Sequence, residues 1–280
     1  GKRGALTVRS KQLVWGERTY IMGIVNATPD SFSGDGRPTA EGAIVRAVEQ
    51  ARQSADLIDI GAESTRPGHT PIEERTELER LIPVLTGARS RLGPDEILCA
   101  DTFKPAVFRQ AHAAGADLLN SIWGLPDELL AIAVELGVPV VIMHNKAVAV
   151  YERDVVDEVL SFLDGAAQRA VRSGIPAHHI LLDPGIGFGK SPDQNLAMLQ
   201  ALPRLVGLGF PTVLGTSRKS TIGKLTGRAP QERTYGTAAT VALGIAAGID
   251  IVRVHDVREI RDVVSVTDAI ERNWRPASWT

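Results

Sequence analysis

A single cysteine, Cys99, among 280 residues excludes an internal disulfide, and its apolar surroundings fit a buried core thiol. Long hydrophobic stretches are also missing. No uninterrupted apolar run could cross a bilayer, and the opening GKRGALTVRS has no hydrophobic signal core. Without a secretory signal, the formal glycosylation sequon Asn26-Ala27-Thr28 carries little weight. Excess charge is absent too: the formal net charge is −2, which argues against general affinity for nucleic acid or an anionic membrane. No GxGxxG turn follows an apolar run, and the phosphate-loop pattern GxxxxGK[ST] ending at Ser191 fails because Pro184 stands where glycine is required. These absences predict a soluble protein of a reducing, cytoplasmic compartment with small-molecule substrates.

What is present is alternation. The stretch Ile180–Lys190, ILLDPGIGFGK, shows the unit: a buried apolar run, an acid at its end, then a turn marked by proline and glycine. An acid at the exit of a buried strand is costly unless something pairs with it. The unit recurs. Tyr20–Val25 exits at Asn26 into a long polar loop, and Leu57–Gly61 exits into AESTRPGHTP, both longer than plain connectors. Later runs exit at Asp101, Asn120, His144, Asp183, Gly215 and His255, each followed by a helical pattern. Eight strand–helix units in one chain predict an α/β fold, a (β/α)₈ barrel of the TIM type, ahead of an open doubly wound sheet. Ala5–Val14 and Arg18–Val25, flanking Trp15-Gly16-Glu17, predict an N-terminal hairpin. We read residues 1–280 as one domain, with residues 1–18 as its hairpin extension.

In such a barrel, chemistry gathers at the C-terminal strand ends. The inventory there is Asn26, Thr65, Arg66, Asp101, Asn120, His144, Asp183, Ser217, Arg218, Lys219, Arg253 and His255. Each has a plainer reading. Asp101 and Asp183 suit helix caps, Asn120 a turn, and His144 a structural role. Arg218 and Lys219 suit a solvated helix start, although two cations there oppose the macrodipole and favour an anionic partner. Two subsets make chemical sense together. Asp101, Asn120 and Asp183 suit a flat heterocycle with amino and lactam edges. Thr65, Arg66, Arg253 and His255, with Asn26, suit a phosphate or pyrophosphate that also holds a divalent cation.

The same residues carry a family resemblance. IVNATPDSFS (Ile24–Ser33), DIGAESTRPG (Asp59–Gly68), ADTFKP (Ala100–Pro105), ILLDPGIGFGK, GTSRKS (Gly215–Ser220) and RVHDV (Arg253–Val257) resemble the dihydropteroate synthases of folate biosynthesis, in order from about Tyr20 to Arg272. The resemblance implies a transferase that joins p-aminobenzoate to 6-hydroxymethyl-7,8-dihydropterin pyrophosphate with Mg²⁺, releasing pyrophosphate. It implies a pterin site of Asp101, Asn120, Met143, Asp183 and Lys219. Asn26, Thr65, Arg66, Arg253 and His255 would hold pyrophosphate, with Asn26 also serving the metal. Phe32, Pro67, Phe188, Lys219 and Ser220 would form the p-aminobenzoate site. Asp101, Asp183, Lys219, Arg253 and His255 would be the catalytic groups. It also implies a homodimer through the later helices, with Ala238–Ala247 as one apolar face, and competition by sulfonamides at the p-aminobenzoate site.

Three departures from the family pattern stand out: Ser121 after Asn120 where an acid is usual, Asp35 one residue late in Ser33-Gly34-Asp35-Gly36, and Ala62 in place of glycine. A methyltetrahydrofolate-binding barrel and a non-catalytic pterin-binding paralogue are the alternatives. The cationic groups Arg66, GTSRKS and RVHD argue against the first, and the retained contact residues against the second.

Overall fold

A computed structural model describes residues 3–28, 39–63 and 71–280. Phe32, Asp35, Thr65, Arg66 and Pro67 lie outside the described residues. Strands β1 (Ala5–Val8) and β2 (Lys11–Val14) precede the alternating units. These run β3 (Tyr20–Asn26), α1 (Glu41–Arg52), β4 (Leu57–Gly61), α2 (Glu74–Leu92), β5 (Ile97–Asp101), α3 (Pro105–Ala113), β6 (Leu118–Ser121), α4 (Asp127–Leu136), β7 (Val140–Met143) and α5 (Val155–Arg172). They continue with β8 (Ile180–Asp183), α6 (Pro192–Gln200), α7 (Leu202–Val206), β9 (Val213–Leu214), α8 (Ser220–Thr226), α9 (Thr234–Ala247), β10 (Ile251–Val254) and α10 (Val257–Glu271).

The eight later strands form one parallel sheet in the order β8-β7-β6-β5-β4-β3-β10-β9. A bridge between Leu182 and Thr212 joins β8 to the start of β9 and brings the two ends of the sheet together. The expected (β/α)₈ barrel is therefore the observed fold. Its side chains obey the period of two that a pleated strand imposes. Ile58, Ile60, Leu98, Ala100, Leu119, Val140, Ile142, Val252 and Val254 face outward and pack with the helices in the larger core. Leu57, Ile97, Cys99, Leu118, Val141, Leu181, Val213 and Ile251 face inward. On that same inward face, further along the strands, stand Asp59, Asp101, Asn120, Met143, Asp183 and Arg253. The barrel is thus apolar at one end and polar at the other.

The apolar end is plugged by the hairpin. Leu6, Val8, Leu13 and Trp15 join the inward-facing cluster. Its position corrects the sequence expectation: β1 pairs antiparallel with β2, so the turn lies at Arg9-Ser10 rather than at Trp15–Glu17. Arg9 takes the left-handed conformation (φ 55°). Its guanidinium donates to Asp117 at 2.7 Å and to the Pro94 carbonyl at 3.0 Å, which anchors a turn with no glycine to mark it. Trp15–Arg18 instead link the plug to β3, and Trp15 Nε1 donates to the His178 carbonyl at 3.2 Å.

Candidate active site

Asp59 sits mid-strand in β4, and its Oδ2 accepts from Asn120 Nδ2 of β6 at 2.8 Å. Asp183, at the end of β8, accepts from the Gly185 N–H at 2.9 Å and lies 3.2 Å from Arg253 Nη2 of β10. Glycine at 215 makes room for that guanidinium, because a Cβ there would come within 2.8 Å of Arg253 Nη2. Asp59 Oδ1, Asn120 Oδ1 and Arg253 Nη1 are buried without a hydrogen-bond partner, and Asp183 Oδ2 has only the Arg253 ion pair. Buried polar atoms are normally satisfied, so three orphans on one inward face describe a surface suited to a ligand with both donors and acceptors.

The electrostatics agree. Burial pushes the Asp59 carboxyl up to about 6, against the pull of Arg253 and the hydrogen bond from Asn120. Burial, reinforced by Asp59, holds Asp101 well above the usual carboxylate range. Burial opposes the Arg253 cation, but Asp183, Asp59 and Asp101 together outweigh it and raise its pKa. Burial and then Arg253 lower Lys219 to about 8. The strand ends thus bring Asp101, Asn120, Asp183 and Lys219 into one electrostatic environment, as the sequence reading required. Arg253, assigned above to the pyrophosphate grip, lies among the acids and is only 7% exposed.

Asp101 and Asp183 do not take the helix-cap positions open to them: α6 is capped by Ser191 in a full capping box with Gln194, and Lys104 precedes α3. Arg218 is structural in this arrangement, since its guanidinium grips Asp256 at 2.7 Å. Lys219 has no carboxylate or carbonyl partner among the described residues, and its ammonium lies 4.2 Å from the centroid of Phe188. Ser220 opens α8, and Asn26 is exposed at the end of β3. Met143 is fully buried beside Asp183 in register.

His255 Nδ1 pairs with Ser217 Oγ at 2.7 Å, and the same hydroxyl accepts from the His255 N–H at 3.0 Å. Burial, then Arg218, pushes His255 down to about 4, so the ring is neutral at pH 7. His144 is likewise neutral, pushed down to about 3 by burial and then by Lys190. Of the departures, Ala62 is buried and has no left-handed backbone, so losing glycine costs nothing there. Ser121 follows the inward-facing Asn120 and by period faces away from the cavity.

Asp59, Lys190 and Asn195 were absent from the sequence inventory. Asp59 could have been found: an acid between Leu57 and Gly61 on the inward face of a buried strand is the same signal as Asp183, set deeper in the barrel, level with Cys99. Lys190 and Asn195 act through backbone groups, which residue types do not reveal.

Residues 22–255 match the family model for pterin binding enzymes. The dihydropteroate synthase of Bacillus subtilis is 42% identical over 92% of this chain and 90% of its own length. That of Synechocystis is 42% identical over 93% of this chain and 92% of its own. A solved structure of the Xanthomonas albilineans enzyme with 4-aminobenzoic acid superposes with a TM-score of 0.89, at 41% identity over 99% of this chain and 100% of that one. The Thermus thermophilus enzyme in complex with 6HMPPP gives 0.83, at 40% identity over 95% of this chain and 99% of that one. With this coverage and identity, and the same barrel, the chain belongs to the dihydropteroate synthase family of pterin binding enzymes.

Proposed function

We propose that this chain condenses p-aminobenzoate with 6-hydroxymethyl-7,8-dihydropterin pyrophosphate to give 7,8-dihydropteroate and pyrophosphate. The observation that carries this is the set of unpartnered atoms on Asp59, Asn120 and Arg253 beside the Asp183 carboxylate, whose mix of acceptors and a donor matches the amino and lactam edge of a pterin. The assay is direct: purified protein, Mg²⁺, pterin pyrophosphate and labelled p-aminobenzoate should yield dihydropteroate. No product at saturating substrates would refute the reading.

In this reading the bond from the pterin methylene to the pyrophosphate oxygen breaks with its electron pair leaving on pyrophosphate. The positive charge left behind is spread over the ring. Asp183 and Asp101 stabilise it, and their crowded, buried acids gain from a cation arriving among them. The aniline nitrogen then attacks the methylene carbon and gives up its proton to the released pyrophosphate. No strong protein base is required, because the neutral amine is already nucleophilic. Arg253 and His255, with Asn26, Thr65 and Arg66, hold the departing anion, and Lys219 adds a cation where the two substrate sites meet. Asp59 positions the Asn120 amide rather than touching the reacting atoms.

Among the described residues no cluster of three or more His, Cys, Asp or Glu side chains could hold a metal. That fits Mg²⁺ carried mainly by substrate phosphates with few protein ligands, and Asn26 at the β3 exit supplies an oxygen donor. Mg²⁺ bound there would neutralise charge on the leaving pyrophosphate.

His255 makes this reading testable by pH. Its pKa near 4 leaves it neutral at pH 6, and an adjacent polyanion raises the pKa, so binding draws in a proton. Calorimetry at pH 6 in buffers of different ionisation enthalpy should show more proton uptake on pyrophosphate binding by the wild type than by His255→Asn. Equal uptake would remove His255 from the anion site.

Three finer features belong to the same proposal. Sulfonamides compete with p-aminobenzoate, as their binding to the related Yersinia pestis enzyme supports. A sulfonamide should raise the apparent KM for p-aminobenzoate without lowering Vmax, and unchanged kinetics at high drug would oppose this. The protein is a homodimer through α9 and α10, where Leu243 is 72%, Val266 61% and Ile270 75% exposed. Sedimentation should give a dimer that Leu243→Glu with Ile270→Glu dissociates, whereas a monomeric wild type would refute the assignment. The location is cytoplasmic, consistent with the lone buried Cys99 and with no helix, among the described residues, long and apolar enough to cross a membrane. Fractionation finding the protein with the membrane would count against it.

A further inference from the structure

The loop after β8 carries Phe188 to the face of Lys219, yet its residues 185–190 contain three glycines in the left-handed region and make no regular secondary structure. Something must hold it. Gly185 and Gly189 press against the neighbouring β7 loop, where a Cβ would come within 2.0 Å of the His144 carbonyl oxygen and 2.3 Å of the Lys146 carbonyl oxygen. Contact that close fixes distance but not conformation. The conformation is set by donors, and one side chain supplies most of them.

Lys190 Nζ donates to the Gly185 carbonyl at 3.0 Å and the Phe188 carbonyl at 3.1 Å, and it meets His144 Nδ1 at 3.0 Å. Burial lowers Lys190 to about 7, and the two carbonyls, which can only accept, favour its charged form. As an ammonium it has three N–H groups, two for these carbonyls and a third for His144 Nδ1 in the tautomer that leaves this nitrogen bare. His144 can accept only as a neutral ring. Its packing against Phe162, centroids 5.3 Å apart and nearly perpendicular, holds the ring in place. Tyr151 of the same neighbouring loop donates to the Gly189 carbonyl at 2.6 Å. From the other side, Asn195 Oδ1 accepts from the Gly187 N–H at 2.9 Å. Its Nδ2 donates to Thr221 Oγ1 of α8 at 3.0 Å, one residue after Ser220. Asn195 is itself only 2% exposed.

We infer that Lys190 is a positioning residue for the arylamine substrate: it sets the loop that places Phe188 against Lys219, while Asn195 ties that loop to the start of α8. This rests on the proposed condensation, since it assigns these two residues to the p-aminobenzoate side of that site. Neither residue touches substrate. Their effect is selective, because Asp59, Asn120 and Arg253 sit on the strands and are held without the loop, and only Asp183 reaches it, through the Gly185 N–H.

The test is Lys190→Met, which keeps the aliphatic stem and removes all three donors. KM for p-aminobenzoate should rise about tenfold or more, with kcat and KM for pterin pyrophosphate within about threefold of wild type. Lys190→Arg, which keeps a cation and its donors, should recover part of the loss. Asn195→Ala should reproduce the same selective rise and carries the test if Lys190→Met fails to fold. An unchanged KM for p-aminobenzoate, or an equal rise in both KM values, would overturn the inference. Calorimetric binding of p-aminobenzoate to protein loaded with 6-hydroxymethyl-dihydropterin and pyrophosphate reads the same selectivity without turnover. A wild type that binds p-aminobenzoate but forms no dihydropteroate would defeat the proposed reaction, while unaltered binding by both variants would defeat only the roles of Lys190 and Asn195.

Discussion

Lys219→Ala should lower kcat/KM for the condensation by about a thousandfold, with the melting temperature within about 2 °C of wild type. The two halves of that expectation have separate physical origins. Lys219 sits where both substrate sites meet: its ammonium lies over the Phe188 ring, and it shares the electrostatic environment of Asp101, Asp183 and Arg253. Burial and Arg253 lower it to about 8, so the cation is present at pH 7 although it costs energy to hold. A developing anion relieves that cost, so the interaction strengthens as the methylene–oxygen bond breaks. That is the condition for lowering a barrier rather than merely tightening binding. The small effect on stability follows because Lys219 makes no ion pair or hydrogen bond through its side chain among the described residues. Near-normal kinetics would show that the cation has no part in the reaction. A large fall in melting temperature would show that its role is structural.

Arg253→Met should do the reverse and damage stability as well as turnover, by about 3–5 kcal/mol at neutral pH. Arg253 is the cation that holds the inward-facing carboxyls together: it pairs with Asp183 at 3.2 Å and lowers the pKa of both Asp59 and Asp101. Removing one partner of a buried pair leaves uncompensated charge, which is why the loss exceeds that of an exposed ion pair. The sign of the pH dependence follows from linkage. Asp59 is at about 6 with Arg253 present, against an ordinary value of 3.8, and losing Arg253 pushes both it and Asp101 higher. Between the ordinary and the raised value, the folded protein binds more protons than the unfolded chain, so stability falls as pH rises through that window. The deficit relative to wild type should therefore be smaller at pH 5 than at pH 8. Thermal melts of both proteins across that range check it. A deficit that is flat, or that grows on acidification, would show that Arg253 does not serve these carboxyls.

The chain's order of elements was legible because it rests on local physics. Buried parallel strands need continuous apolar runs, crossover helices need amphipathic ones, and glycine and proline mark the joints, so eight units can be counted without coordinates. Asp101, Asn120, Asp183 and His255 were legible for a related reason: a polar residue ending an apolar run is conspicuous. The hairpin turn was not, because Arg9 adopts a left-handed conformation with help from Asp117 and Pro94, which are remote in sequence. Asp59 was hidden inside a strand, where only closure of the barrel gives its inward face a meaning.

The sequence by itself determined the number of strand–helix units, their order along the chain and the polar residues that mark most of their exits. The tertiary structure alone decided that Arg253 lies among the acids, that Arg218 is taken by Asp256, and that Lys190 spends its three donors on a loop rather than on a ligand. The division has one physical cause. Propensity and periodicity act over a few residues, whereas the partner of a charge, and hence its protonation and its task, is chosen by strands and loops that meet only when the barrel closes.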